Sequence, residues 1–83
     1  MALFMDVHHL DGPVSAADVA AAHAKDLEVQ GAHGVDYKSY WVDEANGKIF
    51  CLVEAPNAEA ANTVHREAHG LVAQEVHEVV SGD

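Results

Sequence analysis

The 83 residues carry 14 Asp and Glu against 4 Lys and Arg, a formal charge of -10, which repels phosphate backbones and anionic bilayers and draws cations. Nucleic acid and membrane are therefore poor partners, and a chain this short, residues 1–83, supports one domain with one core and gains from self-association. Seven histidines and a single cysteine then narrow the field, because one thiol allows no internal disulfide and suits a reducing compartment, while an excess of imidazole asks for a ligand.

Leu3 to His8 reads as a strand, with Leu3, Met5, Val7 and His9 on one side and Phe4, Asp6 and His8 on the other. Asp11-Gly12-Pro13 ends it. Ser15 is a good N-cap for a helix over Ala16 to Gln30, whose apolar stripe runs Ala16, Val19, Ala20, His23 and Leu27. His23 thus stands where a core residue is expected. Val35 to Val42 and Lys48 to Ala55 have high strand propensity, and Asn46-Gly47 between them is a hairpin signal. Pro56-Asn57 opens a second helix, Ala58 to His69, with Ala61, Val64, Ala68 and Leu71 as its inner stripe and Gly70 as its stop. Glu75 to Ser81 reads as a last strand.

The order β-α-β-β-α-β predicts an α+β ferredoxin-like fold, a four-stranded antiparallel sheet with both helices on one face. The other sheet face would be bare in a monomer. Phe4, Phe50, Leu52 and an aromatic of the second strand are expected there, an apolar patch suited to a homodimer. No apolar run approaches the roughly 20 residues of a membrane span, and Met1 to Asp6 has neither a basic n-region nor an apolar h-region. The expectation is a soluble, cytoplasmic protein.

Two pairs of imidazoles carry the chemistry. His65 and His69 are four apart on one helix and so neighbours on one face, at the edge of its inner stripe. His8-His9 ends the first strand at the same edge of the fold, and His23 can line the seam between them. The five form a candidate metal site: His8, His9, His23, His65 and His69. They are expected to be exposed enough that folding does not need them. His33 and His77 read as ordinary surface residues, and Asp6, His8 and Glu54 make a rival site on the presumed dimer face. The helical pair is not H-E-x-x-H, since Arg66 follows His65 and Glu67 points away, so no catalytic residue is assigned. Cys51 on a core-facing strand is a poor nucleophile.

Phe4-Met5-Asp6-Val7-His8-His9, Tyr40-Trp41-Val42-Asp43-Glu44, Phe50-Cys51-Leu52-Val53-Glu54-Ala55-Pro56 and Val64-His65-Arg66-Glu67-Ala68-His69-Gly70-Leu71 together resemble one family. It is the small domain family of formerly unknown function that includes the nickel-binding, nickel-responsive proteins of Streptomyces-type actinobacteria. The resemblance implies a cytoplasmic ferredoxin-like homodimer that binds Ni(2+) and has no established catalytic reaction. Imidazole with carboxylate or water suits Ni(II), but nitrogen and oxygen sites generally favour copper, so the preference for nickel rests on the family. Two other readings stand beside it: a small dimeric enzyme of isomerase or monooxygenase type with a pocket between sheet and helices, and an interaction module with no ligand.

Overall fold

A computed structural model describes residues 1–82. The elements are β1 (Ala2–His9), α1 (Ala16–Val29), a 3-10 turn (Gln30–His33), β2 (Asp36–Asp43), β3 (Lys48–Ala55), α2 (Ala58–Ala68) and β4 (Glu75–Glu78). The strands lie in the order β2-β3-β1-β4, each antiparallel to its neighbour, which is the ferredoxin-like arrangement the sequence predicts. Local chemistry sets the helix starts as expected. The Ser15 hydroxyl accepts from the Asp18 amide at 3.1 Å, and the Asn57 carbonyl oxygen accepts from the Ala60 amide at 2.8 Å. β4 is shorter than expected and stops at Glu78 opposite Phe4, after which the Val79 amide donates to Leu3 at 2.9 Å.

The register decides which side chains meet the helices. Phe4 pairs with Val53, Asp6 with Cys51 and His8 with Ile49, so all six share the face that α1 and α2 cover. The core is built there from Phe4, Val19, Val35, Tyr37, Ile49, Cys51, Val53, Ala55, Ala61 and Val64. Phe4 is therefore a core residue and not part of the open face, because an antiparallel partner on the covered side carries it inward. Leu3, Met5, Val7, Trp41, Phe50 and Leu52 make the open face instead, and Trp41 is 53% exposed on it.

A β-bulge in β2 matters more than its size suggests. Tyr37 pairs with Val53 and Tyr40 with Cys51, with the register shifting between Tyr37 and Ser39. Strict alternation would put residues 37 and 40 on opposite faces. The extra residue, Lys38, turns both tyrosines toward the helices and leaves Trp41 outside. Gly47 closes the β2–β3 turn at φ 66°, and a Cβ there would stand 2.0 Å from the Gly12 carbonyl oxygen. Only glycine lets the turn seat against the loop before α1. The seat is hydrogen-bonded by the Leu10 amide to Gly47 at 2.8 Å and the Ala16 amide to the Glu44 carboxylate at 2.8 Å.

Candidate metal centre

Asp6 lies in the middle of β1 with no exposed surface, and a lone carboxylate there would be very costly. Its Oδ2 meets His65 Nε2 at 2.9 Å and accepts from the Tyr37 hydroxyl at 2.9 Å, while the Tyr37 oxygen lies 2.8 Å from His65 Nε2. On the other side of the ring, His65 Nδ1 meets Asp26 Oδ1 at 2.9 Å. His65 is 1% exposed. Held between two carboxylates, its pKa is pushed up to about 9: burial works against the charge, and the Asp26 and Asp6 hydrogen bonds outweigh it. Burial likewise opposes the charge of Asp6, but hydrogen bonds to His65 and His8 hold it well below the usual carboxylate range. At neutral pH the pair is an imidazolium donating from both nitrogens to two carboxylates.

His8 and His69 extend this network in opposite directions. His8 Nε2 stands 3.3 Å from His65 Nε2 and 3.3 Å from Asp6 Oδ1. His69 caps α2, and its Nδ1 accepts from the Leu71 amide at 3.1 Å, which leaves the proton on Nε2, 3.0 Å from Asp26 Oδ1. Burial lowers the pKa of His69 despite Asp26, so it serves as a neutral donor. His23 packs against Tyr40 with ring centroids 4.7 Å apart and the planes inclined at 42°, and it lines the same cleft as His8, Asp26, His65 and His69.

The expected convergence is thus met by His8, His65 and His69, with His23 at the wall. His9 does not join them. It alternates with His8 across the sheet, so its ring lies on the open face and contacts Glu75. The rival grouping also divides: Asp6 and His8 face the helices, whereas Glu54 forms an ion pair with Lys38 at 2.6 Å. Glu67 takes His33 at 3.1 Å, away from the cluster. The expectation that these histidines are too exposed to matter for folding is corrected by the burial of His8 and His65.

Asp26 and Tyr37 are the residues the sequence reading missed. Val19, Ala22, His23 and Asp26 follow the i, i+3, i+4, i+7 spacing of one buried stripe, so the stripe is rotated from the one expected and leaves Leu27 47% exposed. A carboxylate on an apolar stripe was the available signal. Tyr37 carried none, because the bulge that turns it inward has no marker in the sequence.

Among the described residues two groups could hold an ion: Asp6, His8, Cys51 and His65, and Asp26, His65 and His69, with the ligand atoms of each within 4.8 Å of one another. The first has the better donor geometry. Ligands about 2.1 Å from one ion lie about 3.0 Å apart when cis in an octahedron and about 3.4 Å apart in a tetrahedron. The contacts linking His8 Nε2, His65 Nε2 and the Asp6 carboxylate, at 2.9 to 3.3 Å, fall in that range. Asp6 Oδ1 is also buried, and its 3.3 Å contact with His8 Nε2 lacks hydrogen-bond geometry, the state of an acceptor that can take a cation. Cys51 is the weak member, since burial and the neighbouring Asp6 push its thiol far up. The cleft beside the group has a volume of about 20 Å³, room for a water or an ion and its ligand but not for an organic substrate.

The model of the family described as nickel responsive protein SCO4226-like matches residues 4–79. The chain belongs to that family. It is also similar to SCO4226 from Streptomyces coelicolor A3(2), whose crystal structure is 40% identical over 99% of this chain and 100% of that one, with a TM-score of 0.91. No curated protein matches it. The family is described as nickel responsive, and this chain has a buried cluster of imidazoles and carboxylates that could hold a transition metal. No helix among the described residues is long and apolar enough to cross a membrane.

Proposed function

We propose that the chain is a Ni(2+)-binding protein that buffers or senses the ion through His8 Nε2, His65 Nε2 and the Asp6 carboxylate, as one metal-binding domain with no catalytic reaction. The triangle of donors at 2.9 to 3.3 Å is the observation that carries this reading. Asp26 would orient His65 through Nδ1, and His69 would in turn orient Asp26. An ion bound there supplies positive charge to a network that holds two carboxylates, in place of the proton on His65. The small cleft and the thiol and phenol that burial keeps protonated, Cys51 and Tyr37, support binding over catalysis. The lone cysteine fits a cytoplasmic setting.

Calorimetric titration of untagged protein with nickel, zinc and copper chlorides tests the reading. His8→Ala should weaken nickel binding at this site tenfold or more, His69→Ala roughly tenfold through Asp26, and His33→Ala not at all. Equal affinity in all four proteins would overturn it.

The open sheet face completes the proposal as a homodimer interface. Trp41, 53% exposed, lies there with Leu3, Met5, Phe50 and Leu52, a continuous apolar area on a chain whose net charge is -10. Sedimentation at micromolar concentration should give twice the 8.8 kDa chain mass. A lone 8.8 kDa species contradicts it.

A further inference from the structure

Tyr37 reaches the buried cluster through the bulge of β2, and two contacts hold it there. Its amide donates to the Gln30 side-chain oxygen at 2.8 Å, and its ring packs against His65 with centroids 4.6 Å apart. The residue is 3% exposed, so the hydroxyl has little freedom. That hydroxyl has one proton and three polar neighbours: Asp6 Oδ2 at 2.9 Å, the Ala61 carbonyl oxygen at 3.0 Å and His65 Nε2 at 2.8 Å. His65 Nε2 carries its own proton as an imidazolium, and the Ala61 carbonyl lies within the α2 ladder. The carboxylate is therefore the strongest acceptor. Burial and the Asp6 charge push the phenol far up, so Tyr37 keeps the proton it donates.

The two oxygens of Asp6 differ. Oδ2 has two hydrogen bonds, with Tyr37 and with His65, while Oδ1 is buried without one and stands 3.3 Å from His8 Nε2. We propose, on the strength of the nickel site at His8, His65 and Asp6, that Tyr37 is a positioning residue: its hydroxyl holds Asp6 Oδ2, so that Asp6 meets the ion through Oδ1 alone. The role depends on that site. An ion on His65 Nε2 takes the place of the proton there, which removes one of the two bonds at Oδ2 and leaves the one from Tyr37. Without that hydroxyl a buried, charged oxygen has no donor, a costly state, and turns to the ion as a second ligand atom. A carboxylate tied at one oxygen fills one ligand position and leaves the others to imidazole and water.

Tyr37→Phe removes the hydroxyl and keeps the ring against His65. Calorimetric titration of the full chain with nickel chloride should show affinity weakened roughly tenfold. The deciding readout is the infrared difference spectrum, nickel-loaded minus metal-free, of protein carrying isotope-labelled aspartate. In the wild type the two carboxylate stretches should move apart, as for a carboxylate bound through one oxygen. In Tyr37→Phe they should draw together, as for one bound through both. Lost packing alone would lower affinity without that change, so the same infrared difference in both proteins overturns the role of Tyr37 whatever the affinity. The wild-type spectrum stands by itself if the variant folds poorly: stretches that draw together there overturn the proposal, as does tyrosinate absorption appearing on nickel addition, which would make Tyr37 a ligand. His8→Ala separates the two readings. Weakened binding in His8→Ala beside an unchanged Tyr37→Phe leaves the ion site standing without the positioning role, and wild-type binding in both overturns the site and the role together.

Discussion

His65→Ala is expected to abolish nickel binding at the buried site and to cost the metal-free protein about 3–5 kcal/mol, the range for removing one partner of a buried ion pair. The alanine leaves Asp6 and Asp26 buried with no cation between them, with the Tyr37 hydroxyl and His8 still at Asp6 and His69 still at Asp26. For a domain this small that loss approaches the whole stability, about 4–12 kcal/mol at the usual range per residue. Urea denaturation should show a much lower midpoint with little change in slope. Adding Asp26→Asn should recover part of the loss, because the two residues share one network and their effects are not additive. A loss under about 1 kcal/mol would mean that the network is wetter and looser than the buried geometry implies.

Raising the pH from 7 to 9 is expected to strengthen nickel binding about fiftyfold, with close to one proton released per ion at pH 7 and about half a proton at pH 9. The cause is the imidazolium of His65, whose pKa stands at about 9 against an ordinary 6.5 because the Asp26 and Asp6 bonds overcome its burial. Below that value the ion must displace a proton, so affinity climbs about tenfold per pH unit; an ordinary imidazole would level off near 6.5. The metal-free protein should respond in the opposite sense. A raised histidine pKa contributes stability that is complete below about 6.5 and lost as pH rises through about 9. The lowered Asp6 contributes stability present above its ordinary 3.8 and lost as pH falls toward its folded value. The two describe one ion pair, most stabilising between about pH 4 and 6.5, and its alkaline loss is on the order of 3 kcal/mol. Calorimetry in buffers of different ionisation enthalpy counts the protons. Affinity that is flat above pH 7 would contradict a His65 ligand held as an imidazolium by its two carboxylates.

The fold was legible in the sequence because hydrophobic period and capping chemistry repeat it locally: Ser15, Asn57 and Asn46-Gly47 mark boundaries the structure keeps. The half of the site on α2 was legible for the same reason, since His65 and His69 follow from helical spacing alone. What failed was facing. His8 and His9 read as a pair by proximity, but a strand sends neighbours to opposite faces, and only the pairing of His8 with Ile49 shows which one goes inward. A one-residue rotation of the α1 stripe hid Asp26, and the β2 bulge hid Tyr37. Both errors fall on polar residues at core positions, where period and polarity disagree and tertiary contacts decide.

An anomalous difference map at the nickel edge, from crystals grown with nickel chloride, would locate the ion. A peak is expected between His8 Nε2, His65 Nε2 and the Asp6 carboxylate, with His65 Nδ1 still bonded to Asp26. A map whose nickel peaks lie only on exposed side chains, with His65 still hydrogen-bonded to both Asp6 and Asp26, would contradict it and leave the buried cluster a structural ion network.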